Sequence, residues 1–349
     1  VAPAGISFFT FQAITYLVWR YQSPQSPQSW KRPLLFLAFW PTLFAGPILR
    51  ANAFFKQAEH CKGLPIHVER AVYFILLGLA QKMVFATWLS ETFVDETFRY
   101  PENIGALQGI SAMWAYALQI FLDFSGYSLL VTGLALLLGY DIPRNFRQPY
   151  AAINLREFWR RWHISLSTFI RDYIYIPLGG SHAGTTRTCI NIFIAMAISG
   201  IWHGANTTFL IWGSLHGLGM VLVVLLGQWQ PRLFTTASPI PDWLAQTLTL
   251  AFITFTWVFF RAPTLEAAQN ILASLANPFG QPGPSHFLLL LFSVVFLSLT
   301  KQADALERFA EKGITNAHPV WLYALSSVTA FTIIACGPSG VPAFIYYSF

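Results

Sequence analysis

The stretch Ile190-Asn191-Ile192-Phe193-Ile194-Ala195-Met196-Ala197-Ile198-Ser199-Gly200-Ile201 runs directly into Trp202-His203-Gly204-Ala205-Asn206. The apolar part reads as membrane-embedded, and it carries an ionisable imidazole to that depth. A titratable group there costs a few kcal/mol unless it faces protein interior or a water-filled cavity, which marks His203 as a functional candidate. Histidine is also the side chain best able to take and return a proton near neutral pH. The plainer alternative is a buried histidine hydrogen-bonded to a neighbouring helix.

Composition supports the membrane reading. Hydrophobic residues make up 55% of the 349 and charged residues 10%, where an ordinary soluble domain carries about 25% charged. Apolar stretches that approach the length needed to cross about 30 Å of hydrocarbon are read at Ile6–Trp19, Leu34–Leu49, Val72–Leu89, Ile104–Leu122, Leu129–Gly139, Thr188–Ile201, Thr208–Leu226, Leu244–Phe260, Phe287–Leu299 and Val320–Cys336. Several are short or broken by Gly or Pro, which predicts tilted or re-entrant segments packed inside protein. The fold class is therefore an all-α, polytopic integral membrane protein forming one membrane-embedded domain over 1–349.

Val1 is not a methionine and no leader-like pattern precedes the first apolar stretch, so the chain reads as the latter part of a longer protein. Cys61, Cys189 and Cys336 lie far apart with no Cys-x-x-Cys; they support neither a disulfide framework nor a metal site. In a soluble protein the net charge of +6 would suggest nucleic acid. Here the basic residues follow topology instead: seven of the fifteen arginines fall between Arg144 and Arg187. The positive-inside rule places that segment on the cytosolic face. Low-complexity sequence is confined to the polar loop Gln22–Ser29 and the linker Pro231–Asp242.

The basic segment has internal order. If Asn154 caps a helix running over 154–172, Arg156, Arg160, His163, Ser167 and Arg171 fall within about 80° of one another. Leu155, Phe158, Trp162, Leu166 and Phe169 take the opposite side, which predicts an amphipathic helix lying in the membrane interface with its apolar face down. Its arginines could merely touch lipid headgroups. Guanidinium forks also grip phosphate oxygens bidentately, so the same stripe suits a phosphate-bearing cofactor. Beyond it, Pro177 and the pair Gly179-Gly180 permit a tight turn that returns the chain toward the His203 segment. His216, between Gly213 and Gly217, is either a second site histidine or a packing position where glycines allow close approach. Gly204 and Asn206-Thr207-Thr208 predict a break between His203 and His216.

These blocks resemble a known family. Phe158-Trp159-Arg160-Arg161-Trp162-His163-Ile164-Ser165-Leu166-Ser167, Arg171-Asp172-Tyr173-Ile174-Tyr175-Ile176-Pro177-Leu178-Gly179-Gly180, Trp202-His203-Gly204-Ala205 and Trp212-Gly213-Ser214-Leu215-His216-Gly217 are similar to the signature blocks of the membrane-bound O-acyltransferases. The nearest branch is the bacterial one typified by the alginate O-acetyltransferase membrane subunit. Gly5–Gln12, Ala45–Ile48, Asp123–Ser128 and the closing Pro342–Phe349 extend the agreement from end to end. The resemblance implies helices around a central tunnel, acyl transfer at His203, and in His163 a second family histidine on the cytosolic side. Family members usually carry several further membrane helices before the Gly5–Gln12 block. Where relatives often have Asp after the Asp-Phe-Ser-Gly-Tyr-Ser run, this chain has Leu129, so no role passes to that position.

The chemistry is also legible in the residues. Moving an acetyl group from a thioester to a hydroxyl needs a base for the hydroxyl proton and a donor for the oxyanion. His203 fits the base; Asn206, or a backbone amide freed at Gly204, could orient the imidazole or hold the oxyanion. No Gly-x-Ser-x-Gly elbow is present. Arg156, Arg160, Ser167 and Arg171 with His163 are expected to hold the phosphates of acetyl-CoA, the expected donor, and His216, Trp202 and Asp123 to stand behind the catalytic group. By resemblance the acetyl group passes to an extracytoplasmic partner protein and then to a polysaccharide, from the cytoplasmic (inner) membrane of a bacterium. A transporter with broken helices, for which Asp123 is the one clear midplane carboxylate, and a non-catalytic scaffold of a polysaccharide export complex are the competing classes.

Overall fold

The computed structural model describes residues 5–24, 29–60, 64–230, 239–278, 283–299, 302–315 and 318–337. Cys61 and the block Pro342–Phe349 lie outside the described residues, as do parts of the polar loop and of the linker. The described chain is helical with no strand. In order come α1 (Ile6–Gln22), α2 (Lys31–Leu37), α3 (Ala51–Ala58), α4 (Val68–Arg99), α5 (Ala106–Leu137), α6 (Leu155–Arg161), α7 (Ile164–Ile170), α8 (Gly184–His203), α9 (Thr207–Trp229), α10 (Asp242–Arg261), α11 (Leu265–Ser274), α12 (Pro284–Leu299), α13 (Ala303–Thr315) and α14 (Pro319–Cys336). Among the described residues five of these, α4, α5, α8, α9 and α10, are long and apolar enough to cross a membrane.

Two antiparallel pairs, held by glycines, organise the bundle. A Cβ on Gly78 would stand 2.5 Å from the Gly126 carbonyl, and one on Gly133 would stand 2.7 Å from that of Ala71, so α4 and α5 approach backbone to backbone. The same device joins α8 to α9: a Cβ on Gly200 would meet the Phe209 carbonyl at 2.4 Å, and one on Gly213 that of Met196 at 2.5 Å. Small residues are the usual route to tight helix contact where lipid removes the hydrophobic drive between helices. Helix α10 packs on both α9 and α5 and ties the pairs together. Lys82 and Asp123 form an ion pair across the α4–α5 contact, with side chains 11% and 10% exposed. Helix α4 reaches this geometry through two wide turns, Ala80–Ala86 and Ser90–Val94.

The structure corrects several boundaries. The apolar stretches Ile104–Leu122 and Leu129–Gly139 are one helix of 32 residues, α5, because Gly126 and Gly133 are contact points with α4 and break nothing. Leu34–Leu49 is no span: α2 ends at Leu37, a 3-10 turn follows at Trp40–Thr42, and the chain then runs irregularly through Gly46, which has a positive φ of 114°.

The expected helix over 154–172 is also broken, into α6 and α7. Residues Trp162 and His163 leave the helix, and His163 adopts a left-handed φ of 40°. The loop before α6 supplies the reason. Asn145 O accepts from Ile164 N at 2.9 Å, Asn145 Oδ1 from Ser165 N at 3.1 Å, and Arg161 O from Arg147 N at 2.9 Å. Bonds that a continuous helix would make internally are made to a loop, so the break carries no unsatisfied backbone. The apolar face is as expected in membership: Leu155, Phe158, Trp162, Leu166 and Phe169 are all buried. Their partners, however, are protein core and not lipid: Trp162 packs on Trp257, and Phe169 on Phe11 of α1.

Candidate active site

Helices α6, α7, α8 and α9 enclose a cavity of about 830 Å³. Arg156, Arg160, Ser167 and Arg171 all line it, together with Thr185, Thr188 and Gln228. The broken helix thus keeps four of the five expected stripe residues in the lining of one cavity. Arg156 and Arg160 are exposed and make no ion pair among the described residues. Arg161 on the same helix pairs with Glu157, which Asn154, the N-cap, orients by accepting from Glu157 N at 2.9 Å. Arg171 Nε contacts Asp172 at 2.7 Å, and Asp172 is shared with Arg50 at 3.0 Å. The cavity therefore has a cationic rim with charge left over for an anion.

The body of the cavity is apolar, lined by Leu166, Ile170, Ile192, Ala195, Met196 and Val223 among others. Ser199 on α8 also lines it, as does Leu166 on α7. Ser199 stands one helical turn before His203, and Leu166 one turn after His163. Both histidines are buried, at 8% and 1% exposure. Aromatic rings connect them: Phe8 of α1 lies 6.4 Å from the His163 ring and 5.7 Å from Trp202. Trp202 in turn lies 4.7 Å from the ring of His203. The turn that returns the chain toward α8 is as expected, with Gly179 at φ 107° and Gly180 at φ 56°. Asn191, fully buried on α8, clamps it by donating to Gly180 O at 2.9 Å.

His203 ends α8 and is surrounded by Trp202, Trp212 at 5.1 Å and Phe260 at 4.9 Å. His163 is held differently. Ser165 N is an obligatory donor to Asn145 Oδ1, which identifies that atom as the oxygen; at 3.2 Å from it, His163 Nδ1 must donate too. The imidazole is then the Nδ1–H tautomer, and its Nε2 carries a lone pair. Among the described residues Nε2 is buried with no hydrogen-bond partner. Burial lowers the His163 pKa well below the ordinary histidine value, and the nearby His203 ring, whose protonation would compete, lowers it further. His163 is neutral. It sits behind the cavity wall and is not one of the cationic rim groups, which corrects its place in the expected stripe.

Asn206 departs from expectation as well. Because α8 ends at His203, Asn206 lies outside the helix that carries the imidazole, and both its amide atoms are engaged elsewhere. It caps α9, accepting from Thr208 N at 3.2 Å and donating to Pro263 O at 2.8 Å. The predicted break between His203 and His216 is present, at Gly204–Asn206. His216 is fully buried one turn along α9 from Trp212, where Thr256 Oγ lies 2.9 Å from its Nε2. Since the Thr256 hydroxyl already donates to Ile253 O at 2.8 Å, His216 Nε2–H is the donor. That is the packing arrangement weighed for it. Asp123 is ion-paired to Lys82, a partner the sequence reading missed. Asn145 was missed too; its only signal was its place between Arg144 and Arg147 in the basic segment.

A polytopic helical membrane protein with a cation-rimmed, apolar-walled cavity whose lining comes within one helical turn of two buried histidines is the class defined here. The chain belongs to the membrane-bound O-acyltransferase family, whose pattern matches residues 9–262. It is 36% identical over 275 residues to a probable alginate O-acetylase of Pseudomonas aeruginosa, covering 78% of this chain and 51% of that protein. It is 33% identical over 305 residues to a peptidoglycan O-acetyltransferase of Helicobacter pylori, covering 79% and 57%. A teichoic acid D-alanyltransferase of Streptococcus thermophilus is 29% identical over 232 residues, covering 62% and 56%. The chain thus spans little more than half the length of these relatives.

Proposed function

We propose that this chain carries the acyl-transfer site of a membrane O-acetyltransferase, taking acetyl from a cytosolic thioester, acetyl-CoA, for esterification of an extracytoplasmic polymer through a partner protein. The observation that carries the reading is the cavity: its rim offers Arg156 and Arg160 to phosphates, its walls suit an alkyl arm, and its lining includes residues one turn from each histidine. Its volume is that of a site for a mid-sized ligand.

In the step itself the acceptor hydroxyl oxygen adds to the thioester carbonyl while a histidine, His203 in this assignment, takes the hydroxyl proton. The tetrahedral adduct then collapses, the C–S bond breaks, and the departing thiolate recovers the proton from the imidazolium. The relatives' acceptors, by their names alginate, peptidoglycan and teichoic acid, lie beyond the cytoplasmic membrane of bacteria, and the arginine-rich segment fits the cytosolic side by the positive-inside rule. Purified protein incubated with radiolabelled acetyl-CoA and an acceptor-containing membrane fraction tests the assignment. Transfer by the native chain and none by His203→Ala is expected. Equal transfer by both would overturn the role of His203.

A further inference from the structure

Asn145 is the residue on which the local structure of the site converges. It is 2% exposed. Its Oδ1 accepts from Ser165 N at 3.1 Å, from Ser165 Oγ at 2.9 Å and from His163 Nδ1 at 3.2 Å. Ser165 Oγ is available to donate because its lone pair is engaged by Ile48 N at 2.9 Å. Every donor in this cluster is thereby assigned, and the assignment leaves one group over: His163 Nε2, buried and without a partner among the described residues. A left-handed backbone at His163 holds the ring in place, a strained geometry that persists where surrounding bonds over-determine it.

We propose that Asn145 is a positioning residue that fixes His163 as the Nδ1–H tautomer, so that Nε2 serves as a hydrogen-bond acceptor for an N–H or O–H group of the reacting complex. This rests on the acyl-transfer reading above. It also distinguishes the work of His163 from that of the rim: an imidazole whose open nitrogen bears a lone pair repels phosphate and attracts a hydroxyl or an amide N–H. The remaining neighbours leave this arrangement undisturbed. The ring meets Phe8 of α1, Phe124 of α5 at 4.6 Å and Phe146 of the loop. The charged or titratable groups nearby are His203 on α8, Asp123 on α5, already paired with Lys82 of α4, and Arg144 and Arg147, which flank Asn145 along a separate cavity of about 200 Å³.

Asn145→Asp is the informative variant. It preserves the acceptor oxygen that Ser165 needs, gives up the 3.5 Å contact of Nδ2 with Ser128 Oγ, and places a carboxylate between two arginines opposite His163 Nδ1–H. A carboxylate there stabilises the imidazolium, typically by about one pH unit or more. In the full chain labelled with 15N-histidine, with the spectrum of His163→Gln used to identify the residue, native His163 is expected to stay neutral and Nδ1-protonated through mildly acid pH. In Asn145→Asp it is expected to become cationic at markedly higher pH. The acid limb of kcat for transfer from acetyl-CoA should move up by the same interval while KM for acetyl-CoA stays nearly constant. A native Nε2–H tautomer, or an Asn145→Asp profile that is lowered uniformly with no shift, would overturn the proposal. A native chain that gives the expected spectra yet transfers no acyl group would instead defeat the acyl-transfer reading alone, since the Asn145–His163 pairing would stand.

Discussion

At the residue scale the three buried histidines divide by what holds them. His216 is tied off by Thr256 within a cage of Phe158, Trp159, Trp212 and Phe252, so His216→Gln should lower thermal stability in detergent and reduce transfer only in proportion to folded protein. His163 has a distinct pH signature. An unfolded chain protonates this imidazole below about pH 6.5, whereas burial keeps it neutral in the folded chain. The unfolded state then binds the extra proton, and stability falls as pH drops below that value. His163→Gln removes the group, so its unfolding temperature should decline less steeply between about pH 6.5 and 5; parallel slopes for the two proteins would refute the neutral assignment. His203 was legible in the sequence because an imidazole in an apolar run is conspicuous on its own. The environment of His163 was not, since it depends on Asn145, eighteen residues away across a loop, and helical periodicity carries no information about a loop that replaces helix bonds.

At the element scale the arginines of α6 provide an internal comparison. Arg156 and Arg160 line the cavity, whereas Arg161 is occupied by Glu157. Arg156→Gln and Arg160→Gln should each weaken acetyl-CoA binding about five- to tenfold, the worth of one partly exposed charged hydrogen bond, with kcat at saturation nearly retained. Arg161→Gln should leave the affinity near native. Equal, small losses in a titration of all three would reduce α6 to an anchor. The glycines of the α8–α9 hairpin give a second test: with a Cβ at position 213 only 2.5 Å from Met196 O, Gly213→Val forces the helices apart and should cost about 1–3 kcal/mol or more, read as a lower unfolding temperature together with lost transfer. Elements were legible where apolar runs were long, as in α8, α9 and α10. They were misread where Gly marked contact and not interruption, as at Gly126 in α5, and where Pro41 and Gly46 cut an apolar run before it could form a span.

At the scale of the whole molecule, sidedness is the property most open to test. A single cysteine placed within Ser181–Gly184, in a background lacking Cys61, Cys189 and Cys336, should resist an impermeant thiol reagent in intact cells and react after lysis, because the arginine-rich segment is expected on the cytosolic side. Labelling without lysis would put the cavity rim outside and defeat entry of a cytosolic donor. The core of the molecule, by contrast, depends on the Lys82–Asp123 pair. Asp123→Ala would strand a lysine between α4 and α5, and loss of one partner of a buried pair costs about 3–5 kcal/mol. Replacing both together with apolar residues should recover much of that loss in a thermal unfolding assay.

The same pair has a consequence for how the protein is made. A lone lysine or aspartate near the centre of a nascent span adds roughly 2.5–3.5 kcal/mol to the free energy of entering lipid, so neither α4 nor α5 is a comfortable passenger by itself. The short connection from Arg99 to Ala106 lets both leave the translocon as one hairpin, with the two charges neutralised before either meets hydrocarbon. A nascent chain arrested after Arg99 should therefore integrate poorly. One arrested after Leu137 should integrate fully, and Lys82→Leu should release the first from its dependence on the second.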